Sequence, residues 1–307
     1  MFSLKSGVFR LLRVAGIDVF LHWTWFLAAL YFLSGRKEQY TSRAWDVAEY
    51  VTLFAIVLLH EFGHALACRS VGGKAERIVL WPLGGVAFVS PPARPGALLW
   101  SIAAGPLVNL ALAMLLFPAL LLQNYWGLSS ASPDFQHLFK SVTVINLLLL
   151  VFNLLPIYPM DGGQVLQALL WFVVGRPWSL IVAGASGVVL ATAGAIAALL
   201  WLSDPWVGLI GGFIAWRALA GARLGMVLRR FQNAPKREGL ACPACKAAPP
   251  VGDFWLCAAC RTRFDTFQTG ATCPRCSTPF AVTACPTCGH AAPFVNWSVG
   301  PRDRIGV

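Results

Sequence analysis

Residues 58–68 read LLHEFGHALAC and place three ionisable side chains inside a run of apolar residues. His60 and His64 are four residues apart, so on a helix their side chains lie on the same face, one turn from each other. Ionisable groups are costly inside a bilayer, where they indicate a functional site by default. We therefore expect a membrane-spanning helix whose His60, Glu61 and His64 carry chemistry, because a packing role does not explain all three.

The overall composition also points to a membrane protein. Of the 307 residues, 57% are hydrophobic and only 12% are charged, whereas a soluble domain carries roughly 25% charged residues. With a mean hydropathy of +0.66, this composition excludes a purely water-soluble chain and a mainly disordered one. We expect an all-α polytopic membrane protein. About six segments are long enough to cross a bilayer; they lie near residues 17–34, 47–68, 97–122, 138–156, 179–202 and 206–228.

The distribution of basic residues predicts the orientation of the chain. The net charge is +11, and Lys and Arg are enriched in the cytoplasmic segments of membrane proteins. With the N-terminus in the cytoplasm, twelve Lys and Arg residues of the membrane region fall on the cytoplasmic side and four on the other side. We therefore expect both termini in the cytoplasm. No cleavage signal follows the first basic residues, so the first apolar run is expected to be an uncleaved span.

Two apolar segments do not fit a simple span. Residues 78–90 (IVLWPLGGVAFVS) are too short to cross, and we expect a re-entrant β-hairpin or loop, which must lie within protein or beside a wet cavity. This segment either offers a strand edge to an extended peptide or only packs as a plug. Residues 153–163 (NLLPIYPMDGG) contain two prolines, so a helix is expected to break there.

A metal site explains the ionisable residues best. Both imidazoles can reach one metal, and Glu61 can act as general base toward a water molecule that the metal activates. A catalytic zinc usually has three protein ligands and one open position. Asp161 is the other acidic residue deep in an apolar stretch, so it is the candidate third ligand. It could also cap a helix over 162–174, and the two roles are compatible. Two imidazoles and a carboxylate favour zinc.

The order of these motifs resembles a known family. HEFGH in an apolar span, followed downstream by NLLPIYPMDGG, resembles the site-2 protease family of intramembrane zinc metalloproteases. The segments PLGGVAF (82–88) and AAGPLVN (103–109) strengthen the resemblance. Six spans with a cytoplasmic C-terminal extension are similar to the sporulation-type branch. The resemblance covers roughly residues 10–230.

The resemblance implies an activity and a site. The chain would cleave a membrane-bound protein substrate within or near its transmembrane segment, in a prokaryotic cell membrane. His60, His64 and Asp161 would bind the catalytic zinc, and Glu61 would be the base. Members of the branch carry a regulatory domain after the spans, often a nucleotide-sensing one, whereas this chain carries cysteine pairs there.

Two asparagines are further candidates for the site. Asn109 and Asn153 are expected near the same depth, where either could bind the substrate backbone or a developing oxyanion. Ordinary hydrogen bonding between helices is the alternative for both.

Two other functions compete with proteolysis. One is a non-catalytic membrane scaffold that keeps a relic site. The intact HExxH motif and Asp161 argue against this function. The other is a metal transporter, although transporters more often spread their ligands over several spans.

The C-terminal region contains a second kind of metal motif. Eight cysteines form four CxxC pairs: Cys242 and Cys245, Cys257 and Cys260, Cys273 and Cys276, and Cys285 and Cys288. This spacing resembles a double zinc ribbon with two structural zinc ions, each bound by four thiolates. Sequential pairing would join the first two pairs and the last two, and an interleaved arrangement is also possible. Disulfides or redox-active pairs are the alternative, which a cytoplasmic location disfavours.

The sequence also predicts domains and partners. We expect a membrane metalloprotease domain over 1–230, a linker over 231–240, the double zinc ribbon over 241–290 and a tail over 291–307. Arg261, Arg263 and Arg275 form only a thin basic stripe, whereas nucleic-acid binding needs a dense one. We therefore expect a regulatory protein at the zinc ribbons, not nucleic acid, in addition to the lipid bilayer and a membrane-protein substrate.

Overall fold

A computed structural model describes residues 7–35, 40–81, 84–125, 132–202 and 205–297. The chain divides into two units, residues 1–225 and residues 226–307. The part of the expected tail from residue 298 onward lies outside the described residues, as do Pro82 and Leu83 of the 78–90 segment.

Long apolar helices dominate the first unit and confirm the expected polytopic membrane protein. The helices are α1 (Thr24–Gly35), α2 (Arg43–Ser70), α3 (Pro95–Tyr125), α4 (Pro133–Leu154), α5 (Asp161–Leu202) and α6 (Pro205–Asn233). Within the described ranges, five helices, α2 to α6, are long and apolar enough to cross a membrane. The 12 residues of α1 extend only about 18 Å, less than the roughly 30 Å of a hydrocarbon core. The described residues thus contain five candidate spans, against about six expected from the sequence.

The expected first span, residues 17–34, is wrong in its first part. Ile17–His22 form strand β2, which pairs antiparallel with strand β1, Val8–Val14. Ala15 and Gly16 connect them, both with positive φ (49° and 74°), as a tight hairpin of type I′ requires. Ile17 and Val19 are fully buried and alternate with less buried residues. This period of two favours a strand, although the same residues read as a membrane span by hydropathy.

The 78–90 segment is a β-hairpin, one of the two forms expected for it. Strands β3 (Lys74–Trp81) and β4 (Gly84–Ser90) pair antiparallel, and β3 also pairs parallel with β2. The sheet order is β1-β2-β3-β4, so β4 is an edge strand. The sheet packs on α2 through the fully buried Ile78 and Leu80. At the end of α2, Arg69 donates hydrogen bonds to the carbonyls of Gly16 (3.0 Å) and Ala75 (2.9 Å), which ties the sheet to the helix that carries HEFGH.

The helix breaks in the 153–163 segment, as the prolines predict. Helix α4 ends at Leu154 and α5 begins at Asp161. The connecting loop lies directly against α5, because a Cβ atom at Gly163 would be only 2.6 Å from the Cα of Tyr158. Gly175 (φ 76°, ψ 164°) divides α5 into two helical parts, the second of which contains the expected span 179–202.

Small residues join the last two helices. A Cβ atom at Gly184 of α5 would lie 2.6 Å from the backbone N of Ala222 in α6. One at Gly187 would lie 3.0 Å from the Cβ of Ala218. Close contacts of this kind between small residues are typical of helix packing in membranes. They bring α6 next to the loop that precedes Asp161.

The second unit contains two small antiparallel sheets. Its elements are β5 (Trp255–Leu256), β6 (Arg263–Phe264), β7 (Thr283–Ala284), β8 (Ala291–Ala292) and a 3₁₀ turn, Phe294–Trp297. Trp297 is fully buried in a cluster with Cys242 and Cys285. The ordered module therefore extends beyond residue 290, where the sequence suggested the start of a tail. Arg237, placed in the expected linker, forms an ion pair with buried Asp265.

Candidate active site and metal centres

Three ionisable side chains from two helices converge on one point in the first unit. His60 Nε2 lies 3.1 Å from His64 Nε2, and both atoms are close to Asp161 Oδ2, at 3.1 and 3.3 Å. The two histidines are one turn apart on α2, and Asp161 is the first residue of α5. The helix break thus brings the carboxylate to the histidine pair.

The other nitrogen of each imidazole is fixed by an acceptor. His60 Nδ1 lies 2.5 Å from the side-chain oxygen of Asn109, and His64 Nδ1 lies 2.9 Å from the carbonyl oxygen of Ser101. Because both partners accept hydrogen bonds, each Nδ1 carries the proton and donates it. Each Nε2 is then left with its lone pair directed at Asp161. This second contact is the usual means of orienting histidine metal ligands.

This donor set fits a divalent metal. Two imidazole lone pairs and a carboxylate oxygen meet in a buried place, and Asp161 Oδ2 has no hydrogen-bond partner among the described residues. Groups that only accept repel one another unless a cation lies between them. In a tetrahedral zinc site with N and O ligands, ligand atoms are about 3.3 Å apart, and the three distances agree with that value. His60, His64 and Asp161 can therefore hold a zinc ion.

Glycine lets α3 approach the histidines. A Cβ atom at Gly105 would overlap the His64 imidazole and lie 2.9 Å from Cε1 of His60. A Cβ atom at Gly63, on α2, would lie 2.7 Å from the carbonyl oxygen of Ala104. The segment AAGPLVN was noted in the sequence, but no role was predicted for Gly105. The run of small residues in this apolar span could have indicated the close approach, because small residues let helices pack closely.

Strand β4 holds Glu61. The backbone N–H of Ala87 donates a 2.7 Å hydrogen bond to Glu61 Oε2, and Glu61 is only 6% exposed. A Cβ atom at Gly85 would lie 2.6 Å from Glu61 Cδ, so a larger residue would displace the carboxylate. The 84–90 strand is therefore part of the site and does more than fill space.

A cavity of about 470 Å³ opens beside these residues. Asn153, Tyr158, Gln164 and Arg217 line it together with the metal-binding residues, Glu61 and β4. Arg217 is one of the twelve basic residues that the sequence places on the cytoplasmic side, yet it lines the cavity. Charge counting along a sequence cannot distinguish an arginine in a loop from one in a cavity.

The two candidate asparagines differ in position. Asn153 lines the cavity, where it can meet a substrate. Asn109 is fully buried; it accepts the hydrogen bond from His60 and donates one to Asn146 Oδ1 at 2.8 Å. Asn109 therefore forms hydrogen bonds between helices, which was the alternative raised from the sequence. These contacts also orient a metal ligand.

The eight paired cysteines gather into two clusters in the second unit, and the pairing is nested. The outer cluster contains Cys242, Cys245, Cys285 and Cys288, and the inner cluster contains Cys257, Cys260, Cys273 and Cys276. Sequential pairing is therefore wrong. The outer cluster joins the beginning of the module to its end, around the inner cluster. Spacing alone could not predict this, because it fixes the four CxxC turns and not which of them meet.

The sulfur geometry indicates metal binding. The Sγ atoms of different pairs lie 3.6 to 3.7 Å apart, far beyond a disulfide bond of about 2.05 Å. Four sulfurs around zinc would be about 3.8 Å apart. The hydroxyl of Thr262 lies 3.3 Å from Cys260 Sγ, and the four sulfurs of each cluster are close enough to share one metal ion.

Fold and site together define a membrane-embedded metalloprotein with a HExxH helix and a distant aspartate. Residues 48–126 and 125–195 match the sequence profile of Peptidase family M50. The solved site-2 protease from Methanocaldococcus jannaschii is similar with a TM-score of 0.50 and 29% identity, over 70% of this chain and 95% of that one. Residues 48–195 therefore match Peptidase family M50, and the fold is similar to that of a solved site-2 protease.

Curated sequence relatives agree with this similarity. A zinc metalloprotease of Methanocaldococcus jannaschii is 35% identical over 161 residues, which are 52% of this chain and 45% of the relative. Stage IV sporulation protein FB of Bacillus subtilis is 35% identical over 144 residues, 46% of this chain and 43% of that protein. The chain spans about half the length of these curated relatives.

We expect the Asn109→Ala variant to bind the metal of the His60 site more weakly, by about 10- to 100-fold, because His60 loses the group that orients its ring. Zinc retained by the full-length protein after equilibration with graded chelator concentrations measures this change. Asn153→Ala is the matched control and should retain zinc as the wild type does. Wild-type retention by Asn109→Ala would contradict the orienting role.

Two double variants test the nested pairing. Cys245→Ser with Cys288→Ser removes ligands from one cluster, so we expect the loss of one zinc per chain. Cys245→Ser with Cys260→Ser damages both clusters, so we expect the loss of two. Elemental analysis of the purified full-length variants gives the counts. Sequential pairing requires the reverse result.

Proposed function

We propose that the chain is an intramembrane zinc metalloendopeptidase that cleaves a membrane-bound protein substrate within or near its transmembrane segment. The observation that carries this proposal is the convergence of His60, His64 and Asp161 beside Glu61, in a cavity that an edge strand also lines. The match of residues 48–195 to Peptidase family M50 supports it. A metal transporter has no evident use for a carboxylate that a strand holds beside the metal ligands.

The residues divide the chemical work among themselves. His60, His64 and Asp161 would hold the zinc, which would supply a Lewis acid and lower the pKa of a water molecule toward ~7. The Ala87 N–H holds one oxygen of Glu61, so the other oxygen is available to accept a proton. Glu61 takes a proton from the attacking water as the water oxygen bonds to the carbonyl carbon, and it gives that proton to the amine that leaves when the peptide bond breaks, as a general base and acid does.

Strand β4 receives the substrate as an added strand. A substrate helix must unwind before cleavage, and inside the membrane its freed backbone groups need partners. The Ala87 N–H points away from β3, toward Glu61. Since backbone groups alternate along a strand, those of Gly85 point to the same open edge. Pairing at this edge would carry the scissile bond past Glu61 and Asp161.

Asn153 is the candidate partner of the carbonyl under attack. It lies on α4 and lines the same cavity as the HExxH residues, and its side-chain amide can donate hydrogen bonds to a developing oxyanion. The donor would act where negative charge appears during the reaction.

The proposed setting is a prokaryotic cell membrane, with both termini in the cytoplasm as the Lys and Arg distribution predicts. The cysteine clusters would hold two structural zinc ions, in addition to the catalytic one. A tetrathiolate site has no open position for catalysis. We place a regulatory protein partner at this module and expect no nucleic acid.

Glu61→Gln tests the proposal. The purified wild type, incubated with detergent-solubilised membrane proteins of its source cells, should generate new N-termini within or beside their transmembrane segments. Glu61→Gln should lose this activity by at least about 100-fold, because it lacks the base, while it retains wild-type zinc content. N-terminal labelling with mass spectrometry identifies the cleaved bonds.

Glu76→Gln is the matched control, since Glu76 is exposed on β3 and does not line the cavity. It should cleave as the wild type does. Cleavage that persists in Glu61→Gln would refute the role of Glu61. A wild type that cleaves nothing, but moves zinc into proteoliposomes, would favour the transporter.

A further inference from the structure

Arg217 occupies an unusual position in α6. It is the thirteenth residue of Pro205–Asn233, so its Cα lies about 18 Å from the start of the helix and about 24 Å from the end. The surrounding segment is apolar enough to cross a membrane. An arginine at such depth costs free energy and indicates a functional role by default.

The local packing directs Arg217 to the catalytic cavity. Gly221, one turn further along the same face of α6, lies against the Tyr158 ring, because a Cβ atom there would be 3.0 Å from Tyr158 Cζ. Tyr158 and Arg217 both line the cavity, and the charge of Arg217 acts on the Tyr158 hydroxyl. The guanidinium therefore belongs to the same cavity as the metal-binding residues.

The charges in the cavity leave Arg217 without an acidic partner. Among the described residues, no carboxylate lies within 4.0 Å of its guanidinium. Asp161 faces the two histidines and Glu61 is held by β4. A divalent cation held by His60, His64 and Asp161 would cancel the charges of Asp161 and Glu61, and the guanidinium would then give the described lining of the cavity a net charge of +1. Such a cavity favours an anionic group on the substrate.

We propose that Arg217 is a specificity-determining residue that binds a carboxylate of the substrate. This inference rests on the proposed proteolytic function and deepens it. The planar guanidinium can bind a carboxylate through two parallel hydrogen bonds. The carboxylate comes either from an Asp or Glu side chain near the scissile bond or from the C-terminus of a substrate that has already been shortened.

Binding to a protein that cannot cleave separates recognition from catalysis. Full-length Glu61→Gln in detergent micelles would be titrated into fluorescent 25-residue peptides of leucine and alanine, followed by anisotropy. One series carries a single Asp at each central position in turn, and its partner series carries Asn there. A second pair of shortened peptides ends in a free carboxylate or an amide, which distinguishes the two sources.

We expect at least one Asp peptide, or the free-carboxylate peptide, to bind about tenfold more tightly than its uncharged partner, the effect of one charge-assisted hydrogen bond. Adding Arg217→Gln should remove this preference without weakening the uncharged peptides. Adding Arg217→Glu should shift the preference to peptides with Lys at the same position. Arg223→Gln, also exposed on α6 but outside the cavity, is the matched control and should keep the preference.

Equal binding of all charged and uncharged partners, or no binding of any peptide, would overturn the role of Arg217. So would an equal loss for every peptide with Arg217→Gln, which would indicate a structural charge or a lipid contact. Cleavage by the wild type without a carboxylate preference would leave the proposed function standing. A carboxylate preference with no cleavage of any membrane protein would instead refute the proteolytic function and leave this binding role in place.

Discussion

The first unit depends on holding three lone-pair groups together in a buried place. The arrangement of His60, His64 and Asp161 suits a shared cation, since with both Nδ1 atoms protonated each group accepts and none donates at the meeting point. The neighbouring elements serve that arrangement. Gly105 lets α3 approach the imidazoles, and Asn109 fixes one of their protons. The broken helix before α5 turns the carboxylate inward, and the edge strand β4 holds the base at its side.

The sequence predicts the helical part of this fold well and the sheet poorly. Long apolar runs identify spans, and the prolines of NLLPIYPMDGG identify the break before Asp161. The run over 17–34 misleads because hydropathy alone cannot separate a buried strand from a span. The alternating burial of Ile17 and Val19 shows that the period-two signal was present. The 78–90 hairpin was recognisable because its glycines and its length exclude a span.

The candidate site, like the fold, could be predicted from the sequence only in part. The spacing of His60 and His64 predicts a shared metal, because helical geometry fixes it. Asp161 could be predicted from its setting, since few acidic residues lie in apolar stretches. Contacts that depend on packing between distant helices, such as those of Asn109 and Arg217, leave no periodic signal. The nested cysteine pairing is hidden for the same reason, since each CxxC turn is local and the choice of partner is not.

An anomalous-scattering map at the zinc edge, from crystals of the full-length protein, tests the convergence of the three ligands most directly. We predict a peak about 2.0 to 2.2 Å from His60 Nε2, His64 Nε2 and Asp161 Oδ2. Peaks within the two cysteine clusters would show that the crystal is loaded with zinc. Such a crystal with no peak at the histidines, or with Asp161 turned toward lipid or solvent, would contradict the metalloprotease site.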